Sequence, residues 1–322
     1  MNGTGTVSAP QERVEPDEAA VIADFIAFLK EASRRRHPTG PILRFNQGRQ
    51  SGCVEAEFTV LQGLPGDLRV GLFAVPRTYR AWIRFANASS RSDREKDVRG
   101  MSVKVYDVPG VNLTTGVTTQ DFVLNSHPVM VASDTRSFLE LMRAMDRGGL
   151  QQALYFLRHP RSARIGFAAR SNPASHLDIP YWSTTPYLFG PDRAVKYFVR
   201  PCAPASAQPP DPLTDDYLAV ALRTRLAAAE ACFDVMVQFQ SDDQRTPIEN
   251  AMVEWKESDS PYHAVGRIRI PPQRVDDPAR LRTCEETSFN PWHALAEHRP
   301  LGSMNRARRE IYRAMAEFRQ SR

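Results

Sequence analysis

The chain has 322 residues, with 42 Lys plus Arg against 37 Asp plus Glu, a net charge of +5, and 42% hydrophobic residues. That balance is globular and excludes disordered and fibrous classes, and +5 is too mild at this length to argue for nucleic acid. No stretch approaches about 20 uninterrupted apolar residues, which excludes a membrane-spanning helix.

Residues 1–16, MNGTGTVSAPQERVEP, have neither the basic start nor the apolar core of a secretory signal and read as a flexible N-terminus. Residues 17–322 read as a single domain. Asp17 can cap a first helix in which Val21, Ile22, Phe25, Ile26, Phe28 and Leu29 recur at helical spacing. The helix ends in Arg34, Arg35 and Arg36, before Pro38, where cations suit the helix dipole. From Gly52 the period changes to two: Val54, Ala56, Phe58 and Val60 point one way, Glu55, Glu57 and Thr59 the other. Residues 81–88, 100–108, 121–125, 194–201, 232–240 and 264–270 read as further strands. Helical patterns at 135–146 with 148–158, at 214–230 and at 303–320 interrupt them, and the Pro-rich patch 202–212 reads as a surface connection. The predicted fold is α+β: a closed antiparallel β-barrel with helical insertions and a C-terminal helix.

The four cysteines, Cys53, Cys202, Cys232 and Cys284, form no C-x-x-C pair and read as reduced thiols of a cytoplasmic protein. The seven histidines show no HExxH spacing, so a protein-only metal site is not expected. Neither a GxGxxG nor a GxxxxGK[ST] motif is present to anchor a nucleotide fold.

The most informative segment is the last helix. Arg308, Tyr312 and Arg319 stand at i, i+4 and i+11, which brings them within about 40° of one another on one face. Two guanidinium groups flanking a phenol favour phenolate, a good ligand for ferric iron. On spacing alone, a basic surface helix with one half-buried tyrosine accounts for the pattern as well, since Arg306, Arg309 and Arg313 lie on it too.

Over roughly residues 40–322 the chain resembles the catalase family, in particular its small, barrel-only members. The run CEETSFNPWHALAEHRPLGSMNRARREIY (284–312) is similar to the approach to that family's iron-ligating tyrosine, which has an Arg four residues before it and another seven after. The resemblance implies haem b with Tyr312 as proximal iron ligand, Arg308 as stabiliser of its phenolate, and Arg319 at the ring edge. AWIRFAN (81–87) resembles the strand whose arginine binds a haem propionate, here Arg84. QDFVLNSHPVMVASDTRSF (120–138) resembles the segment that supplies a distal asparagine and a phenylalanine on the ring, here Asn125 and Phe138. RFNQGRQSG (44–52) matches the distal segment, with Arg44 as second propionate arginine.

Two positions depart from the family. Where it has its distal histidine, this chain has Gln47, and where it has the serine that supports that histidine, Ala86. Imidazole can take a proton from one peroxide oxygen and deliver it to the other near neutral pH; an amide only donates and accepts hydrogen bonds. The resemblance therefore implies a haem-dependent oxidoreductase acting on a peroxide or organic hydroperoxide, with true catalase turnover weak or absent. Gln47 and Asn125 would form the distal polar pair, and Val129, Met130 and Val131, in place of aromatics, would leave room for a larger substrate. Residues 148–170 would border the channel by placement. A peroxide-independent haem lyase, dehydratase or isomerase and a non-enzymatic haem binder remain as alternatives. The partner expected is a small-molecule peroxide or organic substrate; a homo-oligomer is open, but the tetramer of large catalases is not implied.

Overall fold

The computed structural model describes residues 10–204 and 207–321. In chain order the elements are α1 (Glu18–Arg36), β1 (Arg49–Val60), β2 (Thr78–Asn87), β3 (Arg99–Val105), β4 (Gln120–Asn125), α2 (Thr135–Arg147), α3 (Gly149–Arg158) and α4 (Pro160–Ala168). There follow β5 (Tyr181–Trp182), β6 (Tyr187–Leu188), β7 (Ala194–Pro201), α5 (Tyr217–Ala228), β8 (Ala231–Phe239), β9 (Tyr262–Ile270), α6 (Pro278–Glu286) and α7 (Ser303–Gln320).

The strands run β5-β4-β3-β2-β1-β9-β8-β7, and pairing of β5 with β7 closes them into an eight-stranded antiparallel barrel, with β6 added beside β7. The fold class read from the sequence is therefore observed. Period-two alternation does the sorting. Val54, Ala56 and Phe58 on β1, Ile83 and Phe85 on β2, and Phe122 and Leu124 on β4 point inward, where they meet Tyr181, Tyr197, Val235 and Ile268 in one sealed core. Side chains with chemistry stand on the outer wall. Register lines up Ala86, Gly100, Asn125 and Trp182 in one row across β2–β5, and Cys53, Arg84, Ser102 and Val123 in the next row across β1–β4.

Helices pack on this wall. Val21, Phe25 and Leu29 of α1 bury against Leu139 of α2, with Phe138, Met142, Ile311 and Met315 from α2 and α7 around them. Asp134 caps α2 in a reciprocal box with Ser137. Asp17, expected to cap α1, makes no cap hydrogen bond and is instead ion-paired to Arg136. The N-terminus of α7 is held from elsewhere in the chain. Gly302 N–H donates to Glu12 and Ser303 N–H to Glu249, so carboxylates meet the positive end of the helix dipole. Arg306 then ties Glu12, Glu18 and Glu249 together at 2.7–2.9 Å. Residues 1–9 of the expected flexible N-terminus lie outside the described residues.

The cysteines correct the sequence reading. Cys53 is bonded to Cys284 and Cys202 to Cys232, across 231 and 30 residues. The first pair joins β1 to α6, and the second joins the chain just past β7 to β8. Both partners meet only through sheet register and helix docking, which a linear spacing cannot reveal. The step from free thiols to a reducing compartment loses its premise. Among the described residues no helix is long and apolar enough to cross a membrane.

Two histidines are fully buried. His176 sits between the Ser51 and Tyr181 hydroxyls, and His298 between the Leu72 N–H and the Tyr197 hydroxyl. Burial pushes them down to about 3 and about 4, with the nearby Arg99 charge adding to the shift of His176. An unfolded histidine takes up its proton near pH 6.5, so between that value and the folded ones the unfolded chain binds more protons and stability falls with pH. At pH 5 each site costs about 2 kcal/mol. In urea unfolding, His298→Gln should remove about that much of the stability lost between pH 7 and pH 5; an unchanged pH profile would show that His298 is charged in the folded protein.

Candidate functional site

The outer wall of β1–β4, the loop before β1, α6 and the C-terminal half of α7 converge on one carboxylate. Glu285, on the last turn of α6, lies 2.6 Å from Arg44, 2.9 Å from Arg84 and 3.7 Å from Arg319. These are the arginines that the resemblance assigns to the propionates (Arg44 and Arg84) and to the ring edge (Arg319), brought together from positions spread over 275 residues. Arg84 is almost completely buried and does most of the holding. Its Nη2 donates to Glu285 and to the Gln47 backbone carbonyl (2.8 Å), and its Nε donates to Gln50 (3.1 Å). Arg44 donates to the carbonyls of Thr287 (2.6 Å) and Cys284 (3.4 Å). Its Nη1 and Glu285 Oε1 are close in space but badly aligned, so both are buried without a hydrogen-bond partner.

One carboxylate cannot neutralise three guanidinium groups, and the cluster keeps a formal excess of two positive charges. Burial holds all three arginines below their ordinary values, and the charge of Arg44 adds to the shift of the other two, which reach about 10. They stay cationic at neutral pH, at a cost that a further anion would relieve.

Beside the arginines stands the amide pair. Gln47 Nε2 donates to Asn125 Oδ1 at 3.2 Å. Gln47 adopts φ +56°, a backbone region that a non-glycine residue enters at a cost of order 1 kcal/mol. It is pinned there because its N–H donates to the Ala88 carbonyl while its own carbonyl is held by Arg84. Its amide fills the space over Gly100: a Cβ at that residue would lie 2.4 Å from the Gln47 amide carbon and nitrogen. Among the described residues no histidine is hydrogen-bonded to either amide. His127, two residues past Asn125, lies within electrostatic reach of Glu254.

Tyr312 is half-buried on α7, and a negative charge on it would act on both Arg44 and Tyr187. The guanidinium groups of Arg308 and Arg319 are held by different partners: Arg308 donates to Thr185 (3.0 Å) and Asn305 (3.1 Å), and Arg319 lies 3.7 Å from Glu285. The Tyr187 hydroxyl is fully buried near Thr185 and Arg308 without a well-formed hydrogen bond, and burial pushes it up to about 12. Phe138 meets Phe25 edge to face at 5.8 Å, within the shell of Phe28, Phe45, Met142, Ile311 and Met315. Two clefts, of about 410 and 270 Å³, lie elsewhere, one beside Trp292 and Arg309 and one between α2 and α3.

Glu285 is the residue sequence reasoning missed, together with Gln50, Gly100 and Tyr187. Nothing in the run CEETSF marks Glu285 over Glu286. Only the bond from Cys284 to Cys53, whose register partner is Arg84, fixes which of the two faces the barrel.

No protein-family model and no curated protein matches this chain. Solved structures do. Over the whole chain it is similar to a fungal catalase at 13% identity and a TM-score of 0.71, covering 67% of that protein. Over 98% of its length it is similar to a bacterial catalase at 16% identity and 0.70, covering 64% of it. Over 99% it is similar to catalase A from Saccharomyces cerevisiae at 14% identity and 0.71, covering 68%. The chain thus has a catalase-like fold and spans about two thirds of the length of these proteins.

If Glu285 is what makes the cluster tolerable, Glu285→Gln should lower stability by about 2–3 kcal/mol in urea unfolding, with little of the loss recovered at high salt because the cluster is buried. A change under about 0.5 kcal/mol would mean that the arginines are held without it.

Proposed function

We propose that the chain is a haem b oxidoreductase that acts on a peroxide, above all an organic hydroperoxide, with weak or absent turnover of hydrogen peroxide. The observation that carries this reading is the junction of two features: an arginine cluster with two uncompensated positive charges, and an amide pair beside it where an acid–base residue would be needed.

The side chains present fit the cofactor. A porphyrin bearing two propionates brings the two negative charges that Arg44, Arg84 and Arg319 lack after Glu285 is counted. Arg44 Nη1, ion-paired to Glu285, is a buried donor that makes no well-formed hydrogen bond. Tyr312 offers a phenol oxygen, a hard donor suited to ferric iron. The shell around Phe138 is apolar and half-buried, with Met142 and Met315 as adaptable members that can part for a flat ring. Haem would supply the redox-active iron for O–O cleavage, which none of the twenty side chains provides.

The chain's own residues decide which peroxide is used. Gln47 and Asn125 can hold a hydroperoxide by accepting its O–H and donating to its oxygens. Neither amide can carry a proton between the two oxygens, and general acid–base help of that kind is worth roughly 10²–10⁴-fold. Cleavage that needs no proton in its first step is what such a pair permits. Arg84 keeps the pair in place through the Gln47 carbonyl, so cofactor binding and substrate orientation share one residue.

Titration of the purified protein with haem, followed in the visible spectrum, should give a ferric complex that Tyr312→Phe weakens at least about tenfold. Oxygen release from hydrogen peroxide by the loaded wild type should be slow, and Gln47→His with Ala86→Ser should raise it by roughly 10²-fold or more. Wild-type oxygen release equal to that of ordinary catalases would refute the role given to Gln47. An unaltered spectrum and affinity in Tyr312→Phe would refute the iron ligand.

A further inference from the structure

The helices α2–α4 carry two features that the haem reading does not use. The first is charge. Residues 143–170 hold six arginines (143, 147, 158, 161, 164 and 170) against Asp146 alone, a net +5 that equals the net charge of the entire chain. Arg143 is paired with Asp24, and Asp146 is already taken by Arg35 and Arg36. Arg147, Arg158, Arg164 and Arg170 are exposed and make no ion pair among the described residues. The second is apolar exposure. Leu150, Leu157 and Phe167 are 72%, 78% and 81% exposed, the latter two the most exposed large hydrophobics among the described residues. Leu150 and Leu157 are seven residues apart on α3 and so share one stripe to within about 20°.

We infer that the α3–α4 segment is a docking face for an anionic phospholipid bilayer surface. Apolar side chains standing singly between long cationic ones suit the boundary of headgroups and acyl chains, where leucine and phenylalanine enter the apolar zone while guanidinium groups stay among phosphates. Arg147 and Arg158 border one cleft of about 270 Å³ between α2 and α3, open to such a headgroup. A second copy of the chain is disfavoured as the occupant, because the same face would oppose its own +5. A folded acidic protein is disfavoured because the three apolar residues form no shared pocket of the kind that anchors protein hot spots. The inference does not depend on haem or on the substrate.

Vesicle co-sedimentation tests it with the full chain. At low salt, vesicles of neutral phosphatidylcholine with about a third phosphatidylglycerol should bring down roughly tenfold more protein than pure phosphatidylcholine, and 0.5 M salt should abolish the difference, as expected of charges acting within a Debye length (). Leu157→Ser with Phe167→Ser should reduce sedimentation several-fold while the melting temperature stays unchanged, since both side chains are already in water. Equal sedimentation with both vesicle types, none with either, or undiminished sedimentation of the double variant would overturn the inference. So would a stable dimer in sedimentation velocity that Leu157→Glu dissociates, which would assign the face to a second copy.

Discussion

Three guanidinium groups around one carboxylate set the terms for the rest of this molecule. Like charges this close and this far from water repel strongly, and without Glu285 nothing among them would offset that repulsion. The cluster ties four distant parts of the chain into one place: Arg44 from the loop before β1, Arg84 from β2, Glu285 from α6 and Arg319 from the end of α7. Each must arrive in the right orientation, and the structure fixes each independently. Arg84 is held by register on the barrel wall. Glu285 follows Cys284, which is bonded to Cys53 directly across the strand pair from Arg84. Arg319 is carried by a helix whose first turn is locked by Glu12 and Glu249.

The sealed interior explains why the site lies outside the barrel. Phe58, Phe85, Phe122 and Tyr197 fill the centre, so no ligand can enter it. The polar cluster stands on the outer wall, and there the pleat dictates who meets whom. Asn125 can meet Gln47, which reaches over from the loop before β1, because the row neighbour of Asn125 on β3 is Gly100; any side chain there would occupy the space of the Gln47 amide. A missing Cβ on β3 and a left-handed residue in the loop are thus two halves of one device. A backbone as unfavourable as that of Gln47 persists only when its surroundings over-determine it, and here a backbone carbonyl and a buried arginine both do.

What could be read from the sequence was whatever depends on periodicity. The alternation in CVEAEFTV gave both the strand and its inward face, and the i, i+4, i+11 spacing put Arg308, Tyr312 and Arg319 on one helix. The resemblance placed Gln47 and Asn125, which the structure finds in hydrogen-bond contact. What could not be read depends on contacts between remote segments. Both disulfides, the choice of Glu285 over Glu286 and the capture of α7 by Glu12 and Glu249 have no local signature, because their partners lie 30 to almost 300 residues away. Asp17 illustrates the same limit in reverse: its type suits a helix cap, yet a tertiary ion pair with Arg136 takes it. The split of Arg308 from Arg319 follows too. A shared helix face brings them near one another, but Thr185 and Asn305 on one side and Glu285 on the other decide where each guanidinium points.

The two concentrations of positive charge answer to different physics, and that difference separates their roles. The excess at Glu285 is buried and only partly compensated, so it is weakly screened by salt and selects an anion by geometry as well as charge. The excess on α2–α4 is spread over exposed side chains; it is strongly screened, and it can distinguish a densely charged surface from a neutral one but not one anion from another. A site of the first kind would suit the anionic cofactor proposed above. A face of the second kind suits reversible attachment that leaves the site's geometry untouched. Arg143 is drawn to Asp24 and Asp146 to Arg35 and Arg36, so both are tied to α1, while Arg147, Arg158, Arg164 and Arg170 make no ion pair among the described residues.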